Sequence, residues 1–125
     1  MKRIEVGARR LRRNIWQALR AGGGGHAGGS SSAPDILAAL YFHRMRLNPG
    51  KPEWPDRDRF VLSKGRANTA LGTALAQTGF IDDTLLDRFY QFEPPFGMAP
   101  YIKVRGVEMC TGALGHGRAM VVRRA

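Results

Sequence analysis

The stretch Ala21–Ser32, AGGGGHAGGSSS, constrains this chain more than any other. Six of its twelve residues are glycine, and His26 sits among them. Such a run is expected to be neither helix nor central strand, because glycine loses the most backbone freedom on ordering. It suits positive φ and the close approach of bare backbone N–H groups to a ligand. A flexible Gly/Ser linker is the plain alternative. Two features favour the loop: the histidine interrupts the run, and a helix start follows directly. A glycine-rich loop that opens onto a helix N-terminus is a common phosphate-holding device.

Helical periodicity flanks the run. Ile4, Ala8, Leu11, Ile15 and Leu19 recur at spacings of three and four, so residues 4–21 read as an amphipathic helix that ends at Gly22. Arg9, Arg10, Arg12, Arg13 and Arg20 lie mostly off that stripe, as a solvated face does. After the run, Ser32-Ala33-Pro34-Asp35 predicts a serine-capped helix start with proline in its first turn. Ile36, Leu37, Leu40, Tyr41 and Met45 are its expected buried face, and Asn48-Pro49-Gly50 its stop.

Further on, Phe60-Val61-Leu62 reads as a short buried strand, followed by Ser63-Lys64-Gly65-Arg66. A small-residue helix is expected from Asn68 to Gln77, and another, capped by Asp82 or Asp83, up to Tyr90. Glu93–Tyr101 is proline-rich and reads as loop, and Val104–Met109 as a short extended piece. Thr111–Gly117 is a second glycine-rich turn with its own histidine, His116. The expected class is α/β: mostly helical, with one or two short parallel strands. Ligands of open α/β sheets sit at the carboxyl ends of strands, which points here to an anionic, phosphate-bearing ligand. No complete phosphate-loop or dinucleotide pattern is present, and His26 and His116 lack metal-ligand spacing.

Composition narrows the rest. A length of 125 residues allows one domain, and the formal charge is +10. One cysteine, Cys110, excludes an intrachain disulfide. No apolar run reaches the length of a membrane span, and no apolar signal core opens the chain. The expected compartment is the cytoplasm. Net charge and N-terminal arginines also admit a nucleic-acid-binding protein, but aromatics are not interleaved with the basic residues as a stacking surface requires.

Three stretches together resemble the N-terminal, diphosphate-binding domain of the transketolase family. They are IWQALRAGGGGHAGGSSSAPDILAALYFHRMR, WPDRDRFVLSKGRA and GVEMCTGALGHG. The resemblance implies an incomplete thiamine diphosphate-binding fold over residues 1–125. It implies thiamine diphosphate with a divalent metal, usually Mg²⁺, and transfer of a two-carbon ketol unit between sugar phosphates. It also implies a partner, a C-terminal transketolase subunit or a second copy, because the family's site lies between two chains. By the same resemblance His26 faces substrate and the reactive end of the cofactor. Gly112, Leu114 and Gly115 match the turn whose backbone approaches the cofactor, and His116 stands where many members have glutamine.

Two positions depart from the family's pattern. Arg66 replaces a histidine near the diphosphate. Arginine binds phosphate as a bidentate fork but does not exchange protons near neutrality. Met98 replaces a substrate-contacting histidine and offers no strong hydrogen bond. These changes imply a shifted substrate or loss of the usual activity. The family's Gly-Asp-Gly metal segment would lie beyond Ala125, so no metal ligand is assigned within the chain. The expectation is therefore a fragment, or a subunit inactive until a partner chain completes it.

Overall fold

The computed structural model describes residues 1–91 and 97–122. Its longest element, α1, runs Lys2–Ala21 and buries Ala8, Leu11, Ile15, Ala18 and Leu19, so the predicted stripe is the packed face. Trp16 stays exposed on the opposite side with the arginines. A short helix, α2, spans Ala27–Ser31 and α3 spans Pro34–Ala39. A π-helical turn, Leu40–Arg44, continues α3, with Met45 N–H donating to the Leu40 carbonyl at 2.8 Å.

Pro34, Leu37, Ala38 and Tyr41 form the inward face of this second helical segment. Leu40 and Met45 are partly buried, whereas Ile36, expected inside, is 63% exposed. Residues 34, 37, 38 and 41 already fill the helical stripe, and position 36 points away from it. Ser32 is not the cap either: Ala33 holds that position without a side-chain bond, and the Ser32 hydroxyl donates to the Gly29 carbonyl at 2.9 Å.

At the centre lies α4, Asn68–Gln77, preceded by a 3₁₀ turn at Gly65–Ala67. Every residue from Asn68 to Ala76 is buried. Alanine, glycine and threonine keep its surface thin, so α1, α2, α3 and a 3₁₀ helix at Asp83–Arg88 all pack against it. Asp82 caps that 3₁₀ helix by accepting from the Thr84 N–H at 2.8 Å. The segment predicted as a full helix to Tyr90 is thus a tighter 3₁₀ element that ends at Arg88.

No strand forms among the described residues. A strand requires a ladder with a neighbour, and Phe60–Leu62 has none there. The 104–109 piece begins instead in turns, with Val104 N–H bonding Tyr101 O at 2.9 Å and Val107 N–H bonding Val104 O at 3.0 Å. The segment at 52–59 is held by an ion-pair network. Arg57, whose side chain is 5% exposed, bonds Glu108 and the carbonyls of Pro52 and Asp58, and Arg59 joins Glu108 at 2.9 Å. Of the proline-rich loop expected over Glu93–Tyr101, residues 93–96 lie outside the described residues. A last helix, α5, spans His116–Val122.

Candidate functional site

The first glycine run begins as a loop and ends as a helix. Gly23, Gly24 and Gly25 take φ of +74°, +156° and +132°. The chain then turns helical at Ala27, with His26 as the residue before the first turn and its carbonyl accepting from Ser30 N–H at 3.0 Å. A helix within this run corrects the expectation of loop throughout. Contact decides it: a Cβ on Gly29 would lie 2.7 Å from the Arg66 carbonyl oxygen, so glycine here lets α2 touch the 3₁₀ turn backbone to backbone. His26 is partly buried, and its ring has no hydrogen-bond partner among the described residues.

The Ser63–Arg66 turn sits between the two glycine-rich segments. Lys64 Nζ donates to the Ser32 hydroxyl at 2.8 Å, tying the turn to the first segment. Gly65 is buried, and a Cβ there would stand 2.9 Å from the Thr111 carbonyl oxygen and 3.2 Å from that of Gly112. Lys64 and Arg66 are exposed, and among the described residues neither pairs with a carboxylate.

The second glycine turn is fastened from the same side. The Thr111 hydroxyl donates to Leu62 O, Gly115 N–H to Ser63 O at 2.8 Å, and Arg118 N–H to the Ser63 hydroxyl at 3.3 Å. Gly115 has φ +85°, which turns the chain sharply into α5. Beyond Gly112 and Gly115 the space is open, so their backbone is accessible. A cleft of about 650 Å³ lies between the 97–101 segment and Cys110–Gly112, with His116 on its wall.

Of the predicted site residues, Met98, Gly112 and His116 share that cleft. Arg66 and Gly65 join it to α2, and His26 stands at the start of α2. Leu114 is exposed on the turn and does not line the cleft. Sequence reasoning missed Asn68, Thr69 and Tyr90. Asn68 is buried and its amide donates to the Gly97 carbonyl at 2.9 Å, next to Met98, while its own Oδ1 has no partner among the described residues. Thr69 Oγ1 and Tyr90 Oη lie 3.1 Å apart. Two adjacent polar residues on an otherwise small and apolar helix were the available signal. No group of His, Cys, Asp and Glu among the described residues could hold a metal ion.

Fold and site define a domain that presents two glycine-rich turns and a basic turn on one side. Residues 6–125 match the thiamine diphosphate-binding domain of transketolase. The chain belongs to the transketolase family. It is 38% identical over 122 residues to an apulose-4-phosphate transketolase subunit of Phocaeicola vulgatus, spanning 98% of this chain and 43% of that one. It is 45% identical over 107 residues to a Clostridium 6-deoxy-6-sulfo-D-fructose transketolase subunit, covering 82% and 38% respectively. Among solved structures, transketolase from Leishmania mexicana superposes with a TM-score of 0.89 at 31% identity, over 95% of this chain and 18% of the other. These neighbours share the α/β fold of the family. The chain spans less than half the length of these two curated relatives.

Proposed function

We propose that this chain is the diphosphate-holding part of a ketol-transferring enzyme and acts on sugar phosphates together with a second chain. The observation that carries the reading is the convergence of three segments: Gly29 against Arg66, and Gly65 against Thr111 and Gly112. Each contact excludes a side chain, and together they bring both glycine turns to the same basic turn.

The residues fit one half of the expected cofactor. Lys64 and Arg66 are cations without carboxylate partners among the described residues, suited to a diphosphate. Gly112, Gly115 and the neighbouring Leu114 and His116 offer accessible backbone for its close approach. The residues do not fit the metal half, because the described part of the chain groups no oxygen ligands for Mg²⁺. We assign those ligands to a partner that carries the family's Gly-Asp-Gly segment, and the glutamate that the family uses on the pyrimidine ring to the C-terminal subunit. That two relatives are named as transketolase subunits supports a divided enzyme.

When bound, thiamine diphosphate supplies a nucleophilic carbon and an electron sink for the two-carbon unit. The chain's own task is position and charge. His26 faces the substrate and holds or moves a proton at an imidazole nitrogen. Met98 lines the cleft with an apolar thioether where a histidine is usual, and Arg66 holds a fixed positive charge. With Arg66 on the diphosphate, Met98 favours a ketose whose less polar part meets the cleft.

The test is reconstitution. The full chain is mixed with a partner chain that carries the Gly-Asp-Gly segment and the pyrimidine-activating glutamate, with thiamine diphosphate and Mg²⁺, and ketol transfer to an aldose phosphate is followed. Saturable, metal-dependent cofactor binding and turnover by the mixture are expected, with neither from this chain alone. His26→Ala is expected to lower kcat about 10²-fold. Turnover unaffected by His26→Ala removes its assigned role, and a mixture that binds no thiamine diphosphate overturns the reading.

A further inference from the structure

The loop that carries His26 is pinned from outside the glycine run. A Cβ on Gly22 would stand 2.2 Å from the Phe89 carbonyl oxygen. A Cβ on Gly25 would stand 2.4 Å from the ring carbon Cε2 of Tyr90 and 2.7 Å from the Leu19 methyl Cδ2. Between those anchors, Gly23 and Gly24 meet nothing within 4 Å. Two consecutive residues, Phe89 and Tyr90, therefore hold the two ends of the loop, and the second anchor immediately precedes His26.

Tyr90 itself is held in an unusual state. Its φ is +61°, the sole positive value at a non-glycine position among the described residues. A bulky side chain in that region persists when its surroundings over-determine it. The surroundings here are the neighbouring Phe89 ring, at 5.9 Å between centroids, and the Thr69 hydroxyl. Thr69 is fully buried on α4, three residues beyond Arg66.

We infer that Tyr90, through its hydroxyl contact with Thr69, is a positioning residue for His26. The ring fixes the backbone at Gly25, and Thr69 fixes the ring to the helix that follows Arg66. The spacing between His26 and Arg66 is thus set by a side-chain bond as well as by the α2 packing. This inference rests on the reading of His26 as a substrate-facing group, but its test does not depend on catalysis.

The full chain, labelled for NMR, carries three histidines, and His26, His43 and His116 are assigned by replacing each in turn. Thr69→Val and Tyr90→Phe each remove one hydroxyl and are expected to shift the His26 ring resonances while those of His43 stay in place. Thr69→Ser keeps the hydroxyl and is expected to restore the native His26 signal. An unmoved His26 signal in Tyr90→Phe overturns the inference, as does an equal shift in Thr69→Ser and Thr69→Val. If Thr69→Val does not fold, Tyr90→Phe decides the matter alone by the same criterion. Turnover indifferent to His26→Ala would remove the catalytic reading and leave the positioning result standing.

Discussion

Gly22 shows how a single missing side chain shapes this molecule. Its φ of −78° suits any residue, so its identity is a matter of space rather than of backbone freedom. The Phe89 carbonyl oxygen occupies the place of a Cβ. Gly22→Ala is expected to destabilise the chain by about 1–3 kcal/mol, the usual range for overpacking a well-filled site, read as a lower denaturation midpoint in urea. Glu108 gives a second case. It lies between Arg57 and Arg59, and the Arg57 side chain is buried. Glu108→Ala would leave that guanidinium without its carboxylate, at an expected cost of about 3–5 kcal/mol in the same assay. A loss below about 1 kcal/mol would show that the pair behaves as an exposed one. Motif residues such as His26, Arg66, Gly112 and His116 are legible in sequence because each lies in a short recognisable string. Tyr90 and Thr69 are not, since their contact joins residues 21 positions apart and exists once the chain has folded.

Elements follow the sequence where periodicity is long and depart from it where packing overrides it. The stripe of α1 spans about four turns and leaves little choice. Asn68 and Gln77 are legible as the ends of α4 because polar residues bracket a run of small apolar ones. The helix α2 is hidden, since its glycines speak against helix and the Arg66 backbone that requires Gly29 is distant in sequence. The strand expected at Phe60–Leu62 has the right composition but no ladder partner among the described residues. The 3₁₀ helix at Asp83–Arg88 illustrates a cap with a pH signature. The Thr84 hydroxyl and then its backbone N–H hold the Asp82 carboxyl below its ordinary value of 3.8. Its contribution is complete above that value and is lost as pH falls through the lowered one. Asp82→Ala is expected to reduce Tm at neutral pH, and the difference from the native chain should shrink as the solution is acidified below about pH 4.

On the scale of the whole molecule, α4 is an axle with other helices around it. Amides of a helix buried on every side open only when the fold opens. Hydrogen exchange followed by mass spectrometry is expected to find Asn68–Ala76 the slowest region. Early exchange across α4 would contradict that packing. The charge of +10 bears on partners rather than on fold. It suits anionic substrates, and no helix among the described residues is long and apolar enough to cross a membrane. The central place of α4 has a consequence for a ligand. Arg66 adjoins that buried helix, while Gly23 and Gly24 bow outward, away from other side chains, between the anchors at Gly22 and Gly25. A ligand would thus meet two walls that are both referred back to α4, one directly through the turn at Arg66 and one through Tyr90 and Thr69. A change in the set of α4 would then be felt on both walls at once.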